Sequence, residues 1–392
     1  MNMFEKHYRL MIPGPSEMDN ATQLAMAQPM IVHYGEDWGN MNARILKKLQ
    51  LVFQTKNDMY IIPGSASAAM EASVNSIIEQ DTEVLVELTG MFGMRFAEIA
   101  KYNGARVIPL NVEFGKAVDP EDVRRLLKAH PNIKAMTLVH NESSTAVMNP
   151  VAEIAAVCRE YDVLLICDTV SSMGGVDIRT DEWELDYCLT GAQKCLQSSP
   201  GLGMITLSPK AWEAIDNRKQ PIRGWFLNLS NIRDYCEKWS DWHGHGPVTA
   251  PTALYAGLEA SLDLILTEGL ENRFARHILN KEAVRSGIRA SGLKLFVNDE
   301  FASNTVTTII VPEGLDDKQI IAKMKEEYNT LITGTPGNIG TSVIRIGHMG
   351  VTADKNYLIP TIAGFLNICK SLGVGVDIQS GLEAMLEVYS RK

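Results

Sequence analysis

Between residues 60 and 210, short apolar runs alternate with stretches whose apolar residues recur at helical spacing, and nothing else constrains the fold as strongly. The runs at 83–87, 106–110, 135–140, 163–167 and 204–207 have apolar interiors, the pattern of strands covered on both faces. Between them, residues 120–130 and 151–161 set apolar side chains on one side of a helix and charges on the other. Such alternation predicts an α/β fold with a largely parallel sheet flanked by helices. A longer helical pattern covers 252–277; after it come a strand at 306–311, a helix at 316–328, a strand leading to Ile346 and a terminal helical pair. At roughly 150 residues per domain, the 392 residues suggest two or three domains, and the order of elements favours two. Residues 1–265 would form an N-terminal arm and a large domain, and 266–392 a smaller C-terminal α/β domain.

Composition removes several classes of function. With 47 acidic against 37 basic residues and a net charge of −10, nothing favours nucleic acid or an anionic membrane as a partner. The six cysteines form no C-x-x-C pair and no His stands at zinc-ligand spacing, so neither a disulfide framework nor a metal site is expected. The chain opens without a basic and then apolar leader, and no run approaches the roughly 18 apolar residues of a spanning helix. The expectation is a soluble protein of a reducing compartment, the cytoplasm. Ser390-Arg391-Lys392 matches a peroxisomal tripeptide only in part, because the terminal leucine is missing.

Polar residues just after buried strands are the first candidates for chemistry in an open α/β sheet. Asp168 directly follows the run at 163–167, where a carboxylate needs a partner. Lys194 has small or uncharged neighbours, Gly191-Ala192-Gln193 before it and Cys195-Leu196 after it, and a desolvated lysine can form a Schiff base with a carbonyl. Gly64-Ser65-Ala66-Ser67 is a small-residue turn entering a helix, a ready anion cradle. Arg345 lies inside an apolar strand, and its planar fork suits a carboxylate. Taken singly, each also has a bland reading: a turn cap for Asp168, a surface lysine for Lys194, an ordinary Ser cap for the turn at 64–67 and an internal salt bridge for Arg345. Together they match what pyridoxal phosphate (PLP) chemistry on an amino acid requires.

In these segments the chain resembles the class V aminotransferases of PLP fold type I, and most of all the alanine–glyoxylate and serine–glyoxylate (serine–pyruvate) group. The resemblance runs from Met11-Ile12-Pro13-Gly14-Pro15 through His140-Asn141-Glu142-Ser143-Ser144-Thr145, the Asp168 and Lys194 segments and Gly269-Leu270-Glu271-Asn272, with Arg273 and His277, to Ile344-Arg345-Ile346-Gly347. It implies that Lys194 binds PLP and shuttles the Cα proton, and that Asp168 pairs with the pyridinium nitrogen. Phe92 would stack on the ring and Val170 touch it. Ser65, Ala66, Ser67 and Gln193 would surround the phosphate. Ser143 would lie beside the cofactor oxygen or substrate, Arg345 would bind the substrate carboxylate, and the turn at Gly14 would leave room only for small side chains. It further implies a homodimer with active sites at the interface, where Thr249 of the neighbouring subunit reaches the phosphate. The family's His-His pair and Tyr ahead of that threonine are out of register here, and His245 is a candidate substitute.

The implied activity is transamination between alanine or serine and glyoxylate or pyruvate. Ureidoglycine–glyoxylate aminotransferases resemble many segments but carry Gln where this chain has His33. Aminoethylphosphonate–pyruvate aminotransferases share the character of the segment from Lys194 to Gly201. A cysteine desulfurase would need a nucleophilic cysteine on a distant loop, and Cys195, adjacent to Lys194, reads instead as a packing residue. The reading of another class, a PLP-free interaction protein on the same scaffold, has no residue in its favour.

Overall fold

Seven strands form the central sheet: β1 (Met59–Pro63), β2 (Glu83–Leu88), β3 (Arg106–Asn111), β4 (Ile133–Val139), β5 (Leu164–Asp168), β6 (Tyr187–Gly191) and β7 (Leu202–Leu207), in the spatial order β1-β7-β6-β5-β4-β2-β3. These coordinates, a computed structural model, describe residues 7–239, 246–335, 337 and 339–391. The sheet is parallel except for β7, which runs antiparallel to both β1 and β6. The five runs expected to be strands are all present, while β1 and β6 were not anticipated. β6 is the sequence Tyr-Cys-Leu-Thr-Gly, too short and mixed to show a period, and only its central place in the sheet buries every residue.

Neighbouring residues on one strand pack into opposite layers. Leu85 joins the core that includes Phe53, Leu138 and Leu258, whereas Val84 and Val86 join the core that includes Met70, Phe96 and Leu189. The helices α1 (Glu36–Phe53), α2 (Ala66–Ile77), α3 (Met91–Tyr102), α4 (Pro120–Ala129) and α5 (Val151–Glu160) contribute to these two layers. α4 starts where Asp119 accepts from the Glu121 amide at 2.9 Å, with Pro120 at the first helical position.

The helical pattern at 252–277 is two helices, α6 (Thr252–Glu268) and α7 (Leu270–Ala290), separated at Gly269, whose φ of +82° breaks the helix. A third core gathers Val284, Ile309, Ile344, Ile320, Phe365 and Met385 from α7, β8 (Val306–Ile310), β9 (Val343–Gly347), α8 (Asp317–Tyr328), α9 (Lys355–Ser371) and α10 (Ile378–Ser390). Met11 is buried in it too, because Arg9–Leu10 pairs in parallel with Thr330–Leu331 and the Gly347 amide donates to the Met11 carbonyl at 2.9 Å. The segment at 11–16 thereby passes between β9 and the loop that carries Lys194, where the Ser16 hydroxyl donates to the Lys194 carbonyl at 2.7 Å.

Candidate active site

The parallel strands deliver their carboxyl ends to one edge of the sheet, and most of the candidate residues follow from that. Asp168 is the last residue of β5, flanked in register by Val139 and Leu189. It is buried, and its Oδ1 accepts from the Val170 amide at 2.7 Å. Burial pushes its carboxyl up to about 7, against the opposing pull of that amide and of Lys194 and Arg95. Lys194 lies in the turn after β6, buried, with Nζ donating to the Pro13 carbonyl. Burial, aided by the Arg345 charge, lowers its amine to about 8. Gly14 is the close approach on this side: at φ +99° a Cβ would stand 2.6 Å from Lys194 Nζ.

The turn at 64–67 does enter a helix. Ser65 caps α2 by accepting from the Ser67 amide, and Gln193 is brought against this end, since a Cβ on Gly191 would lie 2.8 Å from Ala66 Cβ and 2.9 Å from Gln193 Oε1. Phe92 sits in the first turn of α3, half-buried, and the Arg95 guanidinium lies 4.8 Å from its ring centroid while donating to the Ser67 hydroxyl at 3.3 Å. Arg345 Nε donates to the Gly334 carbonyl at 2.8 Å and Nη1 to the buried Ser143 carbonyl at 3.1 Å. Among the described residues no carboxylate forms an ion pair with it, and burial lowers its guanidinium to about 10 in spite of Glu142.

Two candidates stand differently. Thr249 is exposed ahead of α6. His245 lies outside the described residues. Sequence reasoning also passed over three participants in these contacts: Arg95, Glu142 and the Pro13 carbonyl. Glu142 lies in the His140–Thr145 segment, where the signal in the sequence is a single carboxylate among uncharged polar residues; a carbonyl acceptor leaves no trace in a sequence.

The sequence model of the family Aminotransferase class-V matches residues 23–344. The chain is a class V aminotransferase. It is 40% identical to an uncharacterized aminotransferase of Methanocaldococcus jannaschii, over 98% of both chains. It is 33% identical to the (S)-ureidoglycine–glyoxylate transaminase of Bacillus subtilis, over 97% of this chain and 95% of that one. A crystal structure of ureidoglycine–glyoxylate aminotransferase from that organism matches with a TM-score of 0.92 at 32% identity, covering 98% of each chain. A serine–glyoxylate aminotransferase of Hyphomicrobium methylovorum is 31% identical over 97% of this chain and 94% of its own.

The enzyme is therefore a PLP-dependent transferase of fold type I acting on amino and 2-oxo acids, as the resemblance implied. The residues present suit that cofactor. A buried lysine and a buried carboxylate lie close enough to influence each other's titration, and Gln193 Oε1 is buried beside the α2 N-terminus with no hydrogen-bond partner among the described residues. No helix among the described residues is long and apolar enough to cross a membrane.

Proposed function

We propose that this aminotransferase moves the amino group of a small amino acid, alanine or serine, to glyoxylate or pyruvate, in two half-reactions at one site. The observation that carries the reading is Arg345, a buried guanidinium held by two backbone carbonyls with no carboxylate of its own among the described residues. Its remaining N–H groups suit the carboxylate that every such donor and acceptor shares. Gly14 against Lys194 supports a small side chain, and relatives named for glyoxylate support the acceptor.

PLP, when bound, supplies the electron sink that makes the substrate Cα proton labile. Lys194 would hold the cofactor, and after displacement by the substrate amine its Nζ would accept and return the Cα proton. An amine lowered to about 8 is roughly one-tenth neutral at pH 7, enough to act as nucleophile and base. Asp168 would stay ionised against the ring nitrogen, the cation its buried position lacks. The α2 N-terminus with Ser65, Ala66, Ser67 and Gln193 would take the phosphate, Phe92 and Val170 the ring, and Ser143 the substrate side. A homodimer in which Thr249 of the neighbouring subunit closes the phosphate end belongs to this reading, as does a cytoplasmic location.

The B. subtilis relative favours a second donor, ureidoglycine. Mixing the PLP form with single donors (alanine, serine, ureidoglycine, 2-aminoethylphosphonate) and following conversion to the pyridoxamine form separates these readings. Fastest conversion by ureidoglycine or by the phosphonate would replace our assignment.

A further inference from the structure

We propose that Glu142 is a positioning residue of the transamination site, a buried carboxylate that holds the first turn of α3 under Phe92 and ties that turn to the Ser143–Arg345 contact. The inference rests on the reading of Phe92, Ser143 and Arg345 given above.

Glu142 is fully buried, and four donors meet its two oxygens. Oε2 accepts from the amides of Phe92 at 2.9 Å and Gly93 at 3.3 Å. Oε1 accepts from the amide of Ser144 at 3.0 Å and from its hydroxyl at 2.6 Å. The same hydroxyl accepts from the Met91 amide at 3.0 Å. The free N–H groups that open α3 are thus satisfied by residues about 50 positions away in sequence rather than by the preceding residue. Gly90, the residue at the cap, has no side chain to offer, and a Cβ there would stand 2.4 Å from Glu142 Cγ and from Ser144 Oγ. A local cap and this remote one exclude each other.

The remote cap joins two parts of the site. On one side it fixes the turn that bears Phe92, over whose ring Arg95 lies. On the other, the next residue is Ser143, whose carbonyl receives Arg345 Nη1 at 3.1 Å. Glu142 also places a negative charge where Lys194 and Arg345 both feel it, raising each amine or guanidinium against the effect of burial.

Glu142→Gln keeps the shape and breaks the pattern. An amide has one acceptor oxygen, so its NH2 must face either the Phe92 and Gly93 amides or the Ser144 amide. The test uses full-length protein stripped of cofactor, titrated with PLP, with affinity followed by absorbance and the visible circular dichroism of the bound chromophore recorded at saturation. Residues that support metal ligands commonly contribute about 10- to 100-fold to affinity, and by the same logic of orientation the expected result is PLP affinity weakened by about 10-fold or more, with a reduced visible dichroism. A purely structural role would lower the thermal midpoint and leave the dichroism of the saturated protein unchanged, and that result overturns the proposal, as does wild-type affinity. If Glu142→Gln does not fold, Ser144→Ala decides, because it removes one donor and the Met91 acceptor without removing a charge. It should shift affinity and dichroism in the same direction by a smaller factor, and no shift overturns the proposal. A wild-type chain that takes up no PLP would fail differently, by refuting the reading of the site itself.

Discussion

Replacing Arg345 by lysine keeps the positive charge and removes the fork, and the consequence follows from the partners of the guanidinium. Two of its donors are committed to the protein, Nε to the Gly334 carbonyl at 2.8 Å and Nη1 to the Ser143 carbonyl at 3.1 Å. On the proposed reading the others meet a substrate carboxylate with two parallel bonds. A lysine ammonium has three N–H bonds; serving both carbonyls would leave one. The variant thus loses one charge-assisted hydrogen bond, worth about 1.5–3 kcal/mol. At about 1.4 kcal/mol per factor of ten, kcat/KM for alanine and for glyoxylate should each fall roughly 10- to 150-fold. Stability should change little, since a buried cation without a counter-ion gives the fold no net support. The assay compares kcat/KM for alanine with that for an amine lacking the carboxylate. Wild type should prefer alanine, and the variant should lose most of that preference by losing rate on alanine alone. An equal loss on both amines would refute a carboxylate-binding role and point to a distorted site.

Burial makes Lys194 and Asp168 costly to the cofactor-free protein, in opposite pH windows. The Lys194 amine, lowered from 10.5 to about 8, is less protonated folded than unfolded in that interval, so its cost is full below pH 8 and disappears as pH rises through 10.5. Lys194→Met should then stabilise the apoprotein at pH 7 by up to about 3 kcal/mol, with the gain absent at the alkaline end, while abolishing the visible absorbance of the lysine Schiff base with PLP; denaturant titrations across pH and a visible spectrum check both. The Asp168 carboxyl, raised from 3.8 to about 7, is more protonated folded than unfolded, so stability is lost as pH rises through that window. Asp168→Asn should be the more stable apoprotein at pH 8 and no more stable at pH 4, yet hold PLP more weakly; an Asn variant with wild-type PLP affinity would remove Asp168 from the ring-nitrogen role. Arg273 donates to the Gly174 and Cys195 carbonyls at 2.6 and 2.7 Å and pairs with Glu268 at 2.7 Å, so Arg273→Met should cost roughly 3–5 kcal/mol in unfolding experiments by stranding buried acceptors.

How much could be read in advance depends on how local each feature is. The helices at 120–130 and 151–161 were visible because their apolar period is a property of a dozen consecutive residues. Gly269 divides the helical pattern at 252–277, and sequence alone does not mark the break, because an isolated glycine inside such a pattern is tolerated at a cost of about 1 kcal/mol. β6 escaped because burial on both faces, not its five residues, makes it a strand. Lys194 and Asp168 could be singled out from their small or apolar neighbours. The Glu142 cap could not, because the helix amides it receives, those of Phe92 and Gly93, lie about 50 residues away in the chain.

The sequence alone carries the α/β alternation and the identities of a lysine, a carboxylate, a small-residue turn and an arginine with a family pattern around them. Local periodicity and residue chemistry suffice for that. The packed fold sets β7 against its neighbours, brings Arg345 to two carbonyls and places the Pro13 carbonyl under the lysine. Each of these depends on groups far apart in the chain, 202 positions for Ser143 and Arg345 and 181 for Pro13 and Lys194, and desolvation acts on a charge only after such segments have packed together.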